Sequence, residues 1–397
     1  METQKVHLKE LLENHDKLRK PLSSMQRENF KGEYPYYGAQ GVIDYVAEYR
    51  CDGEYLLIAE DGENLSSRKE PIAQIAKGKF WVNNHAHIVK NNSKSDLRYI
   101  CYLLNNSDIT GYVTGAAQPK LSQANLNKIV VNVPSLEVQH RIASILSAYD
   151  SLIENNTKRI RLLEKMAENL YKEWFVRFRF PGYEKAEMEN GLPKGWKVER
   201  LGEWGISLDT GKRPKGGVDI SLKDGYPSLG AECIKELAFF DYSSVSLIPK
   251  DFYESMKRGK NTGDDILLYK DGAYIGKVTM FMDKYPYEHY AINEHVFFVA
   301  PKNVEYKNYL YFTLHQNEFF VLMQNLNRNA AQPGLSRGDV ERVQMTIPTS
   351  EVVKQFNQVV KPMLKIMFNL AKQNTLLARR RDLLLPRLMS GKLEVKP

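Results

Sequence analysis

Three groups of residues have types and spacing that suit chemistry on nucleic acid. Gly272-Ala-Tyr-Ile-Gly276-Lys277 is similar to a loop that cradles phosphates with backbone N–H groups and a lysine. It is one residue short of that pattern, and Val278 stands where Ser or Thr would hold magnesium. It therefore reads as a turn between strands. Asp264-Asp265 with Lys270 has the make-up of a nuclease cluster, in which carboxylates hold metal ions. The matching stretch earlier in the chain, Glu54 to Glu60, lacks the lysine, so strand-edge charges are the better account. His85, His87, His289 and His295 show no metal-ligand spacing and read as surface or core histidines. No Asn-Pro-Pro-Tyr-like run for holding a flipped base occurs. Cys51, Cys101 and Cys233 stand far apart without a CxxC pair, which argues against a disulfide framework or a zinc site. No catalytic residue and no metal ligand is expected in this chain.

The elements behind these groups belong to more than one domain. A chain of 397 residues, 43% hydrophobic and 26% charged, has apolar material for several cores. No stretch approaches the roughly 20 apolar residues that span a bilayer. No apolar run follows the opening Met1-Glu2-Thr3-Gln4-Lys5, and a cytoplasmic protein without membrane contact is expected. The net charge of +8 suggests a polyanionic partner. Its distribution is uneven: residues 349–397 hold ten Lys and Arg against three acids. Arg379-Arg380-Arg381, Arg387 and Lys392 mark that segment for phosphates or for an acidic protein surface.

The chain repeats itself. Gly115-Ala-Ala-Gln-Pro-Lys-Leu-Ser122 returns as Asn329-Ala-Ala-Gln-Pro-Gly-Leu-Ser336, an offset of 214 that continues to Leu162-Leu163 and Leu376-Leu377. Upstream the offset shrinks, to 210 between Leu56-Leu57-Ile58 and Ile266-Leu267-Leu268, and to 192 between Tyr34-Pro35 and Tyr226-Pro227. The extra length of the second copy thus falls between about 230 and 262. A period this long is a domain duplication rather than a solenoid. Each copy reads as mixed α/β, with strands such as Tyr55–Ala59, Ile266–Tyr269 and His295–Val299, and closes with a strand ended by proline.

A long helix follows each copy. Apolar residues recur at steps of four and three through Ile142, Leu146, Ile153, Ile160, Leu163 and Leu170. In the second copy they run through Phe356, Val360, Met363, Met367, Leu370, Leu377 and Leu384. A mean spacing of 3.5 keeps one stripe facing a partner helix, as in a coiled coil. Asn156, Asn374 and Arg381 are polar positions in that seam, and Pro362 and Pro386 are expected to kink or split the second helix. An amphipathic helix lying on its own domain is the competing reading. Some 40 helical residues span roughly 60 Å, on the order of 17 base pairs of DNA. The expected division is a first α/β domain over 1–134, a helical spacer over 135–179 and a linker over 180–195. A second α/β domain over 196–348 and a distal helical spacer over 349–397 complete it. The helices are expected to run antiparallel.

With these features together, the chain resembles the specificity subunits of type I restriction–modification systems. The resemblance rests on the two Ala-Ala-Gln-Pro-x-Leu-Ser segments, on Phe180-Pro-Gly-Tyr183 with Gly191-Leu-Pro-Lys-Gly-Trp196, and on the run 380–393. The opening copy departs from it by lacking the Leu-Pro-x-Gly-Trp lead-in, which leaves its first strand in doubt. The resemblance implies two target-recognition domains reading a bipartite, asymmetric site on double-stranded DNA, without catalysis by this chain. It implies two methyltransferase (modification) subunits and restriction (motor/nuclease) subunits as partners, which carry S-adenosylmethionine, ATP and magnesium. The setting would be DNA methylation and defence against foreign DNA. A nuclease or methyltransferase with intrinsic activity, and a coiled-coil scaffold with no DNA role, are the alternatives.

Readers of two different half-sites should sit in loops that differ between the copies. In the first copy these are Lys17, Arg19 and Lys20; Ser66, Arg68 and Lys69; and Tyr112 and Thr114. In the second they are Lys212, Arg213 and Lys215; Lys257, Arg258 and Lys260; and Asn327 and Arg328. Lys120 is a further candidate. Gln118 and Gln332 recur in register, as shared DNA contacts or as turn residues.

Overall fold

The computed structural model describes residues 2–115, 118–219, 221–328 and 334–395. The chain divides into two compact units, Met1–Leu152 with Leu377–Pro397, and Ile153–Leu376.

In the first unit, β1 (Gln4–His7) pairs antiparallel with the closing strand, placing Gln4 opposite Val133. The opening strand left in doubt by the sequence is therefore present. A six-stranded sheet follows, built from β2 (Leu12–Asn14), β3 (Lys31–Gly38), β4 (Gly41–Val46), β5 (Cys51–Ala59), β6 (Ala73–Val82) and β7 (Ala86–Asn91). Its order is β2-β7-β5-β6-β3-β4, antiparallel except where β3 meets β6. Central β5 is buried on both faces, so its residues alternate between two cores. Leu56 and Ile58 join Tyr99, Ile100, Leu103 and Leu104 of α1 (Leu97–Asn106), whereas Tyr55 and Leu57 join Phe80, Val82 and Ile88. Asp96 caps α1 by accepting a hydrogen bond from the Tyr99 N–H at 2.9 Å. The closing strand is β8 (Val130–Val133), and α2 (Leu136–Tyr171) begins after Pro134.

The second unit repeats this order. Its β9 (Lys197–Arg200) pairs with the closing strand in the register of β1, Lys197 opposite Ile347. β10 (Ile206–Thr210), β11 (Tyr226–Leu229), β12 (Ser246–Ile248), β13 (Lys260–Asn261), β14 (Ile266–Tyr269), β15 (Val278–Met280), β16 (Tyr290–Ile292) and β17 (Val296–Pro301) form two four-stranded sheets, β10-β17-β14-β15 and β12-β11-β16-β13. The two long strands β5 and β6 of the first unit are each broken in two here, which splits one sheet into two. The parallel pair is kept, Ser228 facing Ala291 where Tyr36 faces Trp81. The added residues lie between β11 and β13, where a two-residue turn in the first unit is replaced by 230–245 and a short helix, Lys250–Ser255. Then come α3 (Lys307–Leu314), α4 (Asn317–Arg328), β18 (Gln344–Ile347) and α5 (Ser350–Met389). The segment 180–195 packs onto this unit, with Phe180 stacked on Trp196 at 5.5 Å.

Both long helices are divided between the units, and within each unit they touch. In the second unit the Asn156 amide donates to Asn374 at 3.0 Å, Asn374 donates to Thr157 at 3.2 Å, and Trp174 lies 5.9 Å from Phe356. In the first unit Arg381 pairs with Asp150 at 2.6 Å, and Leu388 shares a core with Ile142 and Leu146. Partners fall on α5 as numbers rise on α2, so these segments run antiparallel. Ile153, Leu163, Leu170, Leu377 and Leu384 are half-buried, while Ile160, Val360, Met367 and Leu370 are buried.

Two expectations are corrected. α5 is not split at Pro362 or Pro386: it runs unbroken from Ser350 to Met389. Pro362 is exposed between buried Val360 and Leu364, so burial along the opposite face offsets the lost backbone hydrogen bond. Met363 is only half-buried, and Leu364, Phe368 and Ala371 are buried instead. This face is wider than a two-per-heptad seam because α5 also covers the core of its own unit, in one cluster with Leu310 and Phe312.

Candidate nucleic-acid interface

One corner is built alike in both units, at the turn entering β7 or β17. In the first unit Asn83 is buried, donates its N–H to Tyr37 O at 3.0 Å and accepts from His85 N–H at 2.8 Å through its side chain. The His85 carbonyl accepts from Glu60 N–H at 2.9 Å, and its ring Nδ1 lies 2.8 Å from the Asp61 carboxylate. Asp61 ends β5 in an Asp-Gly turn with Gly62 at φ +132°, a conformation glycine adopts readily. In the second unit Asn293 donates to Leu229 O at 3.0 Å and accepts from His295 N–H at 2.9 Å. Lys270 N–H donates to His295 O at 3.0 Å, and His295 Nδ1 lies 3.1 Å from Asp271. Gly272 has φ +123°. The strand-end carbonyl then receives the chain returning from the Ala-Ala-Gln-Pro region: Leu121 N–H to Glu60 O at 2.7 Å, Leu335 N–H to Lys270 O at 3.0 Å.

Basic candidates gather at this corner. In the first unit Arg19 reaches the carbonyls of Asn84 (3.5 Å) and Ala86 (3.4 Å), lies 3.2 Å from Asp16 and holds Glu60 in a short contact. Lys120 lies 3.2 Å from Glu60. Burial raises the Glu60 carboxyl, but hydrogen bonds from Arg19 and Lys120 and the charge of His87 outweigh it and leave Glu60 below the usual range. In the second unit Gly211 N–H and the Thr210 hydroxyl donate to Asn293 O, which brings Lys212 and Arg213 to the same turn. Arg213 lies 3.2 Å from Glu294, and Arg258 3.9 Å from Asp209. Lys17, Lys20, Lys215 and Lys257 are exposed, with Lys20 over the Trp81 ring at 6.0 Å. Lys212 lies over Phe252 at 5.3 Å and Lys260 over Tyr253 at 5.1 Å. Ser66, Lys69, Thr114 and Gln118 are exposed, and Thr114 pairs through its backbone with Lys120.

Other candidates face inward. Arg68 donates to the last carbonyls of α1, Leu104 at 3.2 Å and Asn105 at 2.8 Å, and is itself left-handed at φ +55°. It caps a helix rather than facing solvent. Tyr112 packs on the first core, and its hydroxyl accepts from Val130 N–H at 3.3 Å. Gln332 lies outside the described residues, as do the side chains of Asn327 and Arg328 at the end of α4.

The groups weighed for catalysis have ordinary structural partners. Asp265 is buried and accepts from the Tyr290 hydroxyl at 2.7 Å, Asp264 contacts Lys307, and Lys270 lies 3.4 Å from Asp271. Gly272–Lys277 is the turn between β14 and β15, with Gly276 N–H donating to Tyr269 O at 3.0 Å. His87 is buried between Asp16 at 2.7 Å and Leu121 O at 2.9 Å. Burial pushes the Cys51 and Cys233 thiols up to about 11. Among the described residues one His-carboxylate group, Glu164, Glu168 and His315, is close enough to share an ion. His315 lies 3.3 Å from Glu168, so an ion pair accounts for it. Burial pushes the Glu164 carboxyl up to about 7.

What sequence reasoning missed is the Asn-x-His turn. The signal was available: Asn83-x-His85 and Asn293-x-His295 stand at the same offset of 210 as Asp61-Gly62 and Asp271-Gly272.

The family model for the type I restriction modification DNA specificity domain matches residues 1–165 and again 193–385. The chain belongs to that family. Within the specificity family, it is 25% identical over 94% of its length to the type I restriction enzyme MjaIX specificity subunit of Methanocaldococcus jannaschii, covering 90% of that protein. A putative type I specificity subunit of Haemophilus influenzae is 40% identical over 134 residues, 34% of each chain. The crystal structure of a type I restriction-modification system S subunit from M. genitalium superposes with a TM-score of 0.62 at 14% identity, covering 98% of this chain and 96% of that one. Both copies of the corner described above fall inside the residues matched by the family model. No helix among the described residues is long and apolar enough to cross a membrane.

Proposed function

We propose that this chain is the DNA-recognition subunit of a type I restriction–modification complex acting in the cytoplasm, each unit reading one half of a bipartite site. The observation that carries the reading is the duplicated corner. A fixed framework of Asn, His and Asp-Gly recurs, while the basic loops set against it differ, as two readers of different half-sites require. The chain is the non-catalytic member of its complex. S-adenosylmethionine, ATP and magnesium act on the two modification subunits and the restriction subunits that it directs. The long helices set the gap between the half-sites and dock the modification subunits, with Arg379, Arg380 and Arg387 on the exposed part of α5 available to them.

Two measurements test this. Methylome sequencing of cells with and without the chain should reveal one split motif that depends on it. Adding seven residues to both helices should lengthen the motif's gap by about three base pairs at 1.5 Å per residue. Methylation or cleavage by the pure chain alone would reject the reading.

A further inference from the structure

We propose that His85 and His295, each held by the aspartate of an Asp-Gly turn, are a matched pair of DNA-phosphate contacts, the element of recognition that the two units have in common. The inference rests on the DNA-recognition reading and specifies how both units grip the duplex before either reads a base.

Among the described residues neither ring stacks on another ring. The side chains are 46% and 40% exposed, and neither residue belongs to a hydrophobic core. Their backbones are fixed without the ring, by the Asn83 or Asn293 side chain and by the strand-end N–H. The arrangement nevertheless recurs in register where the surrounding loops have diverged. Asp61 and Asp271 accept from Nδ1, which turns Nε2 away from the turn, where it donates whenever the ring carries both protons. The carboxylate behind the ring fixes the direction in which Nε2 points.

The nature of the ligand is visible in the second unit. There a half-buried carboxylate, Glu294, lies 3.5 Å from His295 Nε2 and 3.2 Å from Arg213 Nε through one oxygen. An anion thus already bridges the imidazole and the guanidinium, in the place a phosphate oxygen would take. The pair is only partly exposed, and a phosphate of the duplex competes with Glu294 for the same two donors. In the first unit Asn84 stands at that position, so among the described residues no carboxylate lies beside His85 Nε2, while the neighbouring Arg19 is held by Asp16 and Glu60. A base contact is disfavoured because the two half-sites differ, whereas both carry the same backbone.

The test uses the full chain in complex with its modification subunits and a duplex bearing the motif that the complex itself methylates. Absence of any such motif would sink the functional reading, not this inference. Given a motif, His85→Ala and His295→Ala should each weaken binding roughly ten-fold. At a pH where the imidazoles are protonated, each should also reduce the slope of log affinity against log salt by about 0.9, with the methylated bases unchanged. His85→Gln and His295→Gln keep a donor for the aspartate and guard against misfolding. They should show the same reduced slope with an unshifted melting temperature. Glu294→Ala should tighten binding, and the equivalent Asn84→Ala should not. An unchanged affinity and slope in the folded Gln variants would overturn the proposal, as would altered bases in the methylated motif.

Discussion

The two units share a strand order and differ in what hangs from it. In the first, β5 and β6 are long and unbroken, and β3 turns into β4 through two residues. In the second, the same ribbon is interrupted twice, and 230–245 with the helix Lys250–Ser255 has been added beyond the parallel pair. Yet the corner holding Asn, His and Asp-Gly survives in both with hydrogen bonds within a few tenths of an ångström. A sheet whose central strands are buried tolerates change at its edges and connections but not at the strand ends that carry its register. The difference shows where variation is admitted, in the loops, and where it is not.

The largest expected effect tests how self-contained the second core is. Phe356 is fully buried and makes edge contacts with Phe175 at 4.9 Å and Phe312 at 6.0 Å. Phe356→Ala should cost about 3–5 kcal/mol. Amides of β14 and α3 should lose protection in hydrogen exchange, while those of β5 and α1 in the first unit keep theirs. Equal loss in both would abolish the distinction between the units.

The helix pair offers a sharper contrast, because it is held by neutral amides in one unit and by an ion pair in the other. Asn374→Ala leaves the buried Asn156 amide without its acceptor and should cost about 1–3 kcal/mol whatever the salt. Arg381→Ala removes a half-exposed pair with Asp150 and should cost about 1 kcal/mol or less, vanishing near 1 M salt. Thermal melts of both variants at low and high salt decide this. Parallel salt responses would show that the two halves of the pair are held in the same way.

Glu164 should give the second unit a pH response near neutrality that has no counterpart at the matching position of the first. Burial raises Glu164 from the ordinary 4.5 to about 7, so folding favours its protonated form. That contribution is complete below pH 4.5 and is lost as pH climbs through about 7. The second unit should therefore lose roughly 1–3 kcal/mol between pH 5 and pH 8, and Glu164→Gln should flatten the curve. The position 214 residues on is Ala378, which gives the first unit no counterpart. Denaturant melts across that range, read by the same two sets of amides, would expose a response in the wrong unit.

The long helices were legible because some 40 residues without glycine show a periodic apolar stripe, which local physics suffices to interpret. The prolines misled as to a break: whether a helix continues through Pro362 depends on what its opposite face buries, and that is tertiary information. Sheet order was not legible, since the pattern within a strand does not say which strand it pairs with, and the pairing of Gln4 with Val133 joins residues far apart in sequence. At the candidate site, basic loops could be found by composition. Their convergence on His85 and His295 depended on the sheet bringing four segments together.

Arg68 and Arg213 show why composition fell short, and they give the smallest and most discriminating test. Both were basic residues in divergent loops. Arg68 follows a short helix in a left-handed conformation, which turns its guanidinium onto the carbonyl end of α1, where a cation is favoured. Arg213 is exposed, with Glu294 as its one ion-pair partner among the described residues. Arg68→Ala should therefore lower stability by roughly 1–2 kcal/mol and leave DNA affinity unchanged per folded molecule. Arg213→Ala should alter stability by no more than about 0.5 kcal/mol and weaken DNA binding several-fold. Its effect should fade as salt rises, because a phosphate contact is lost. If Arg68 instead proved the stronger DNA determinant, the inward assignment of its guanidinium would be wrong, and the corner around His85 would no longer be the centre of the first unit's basic surface.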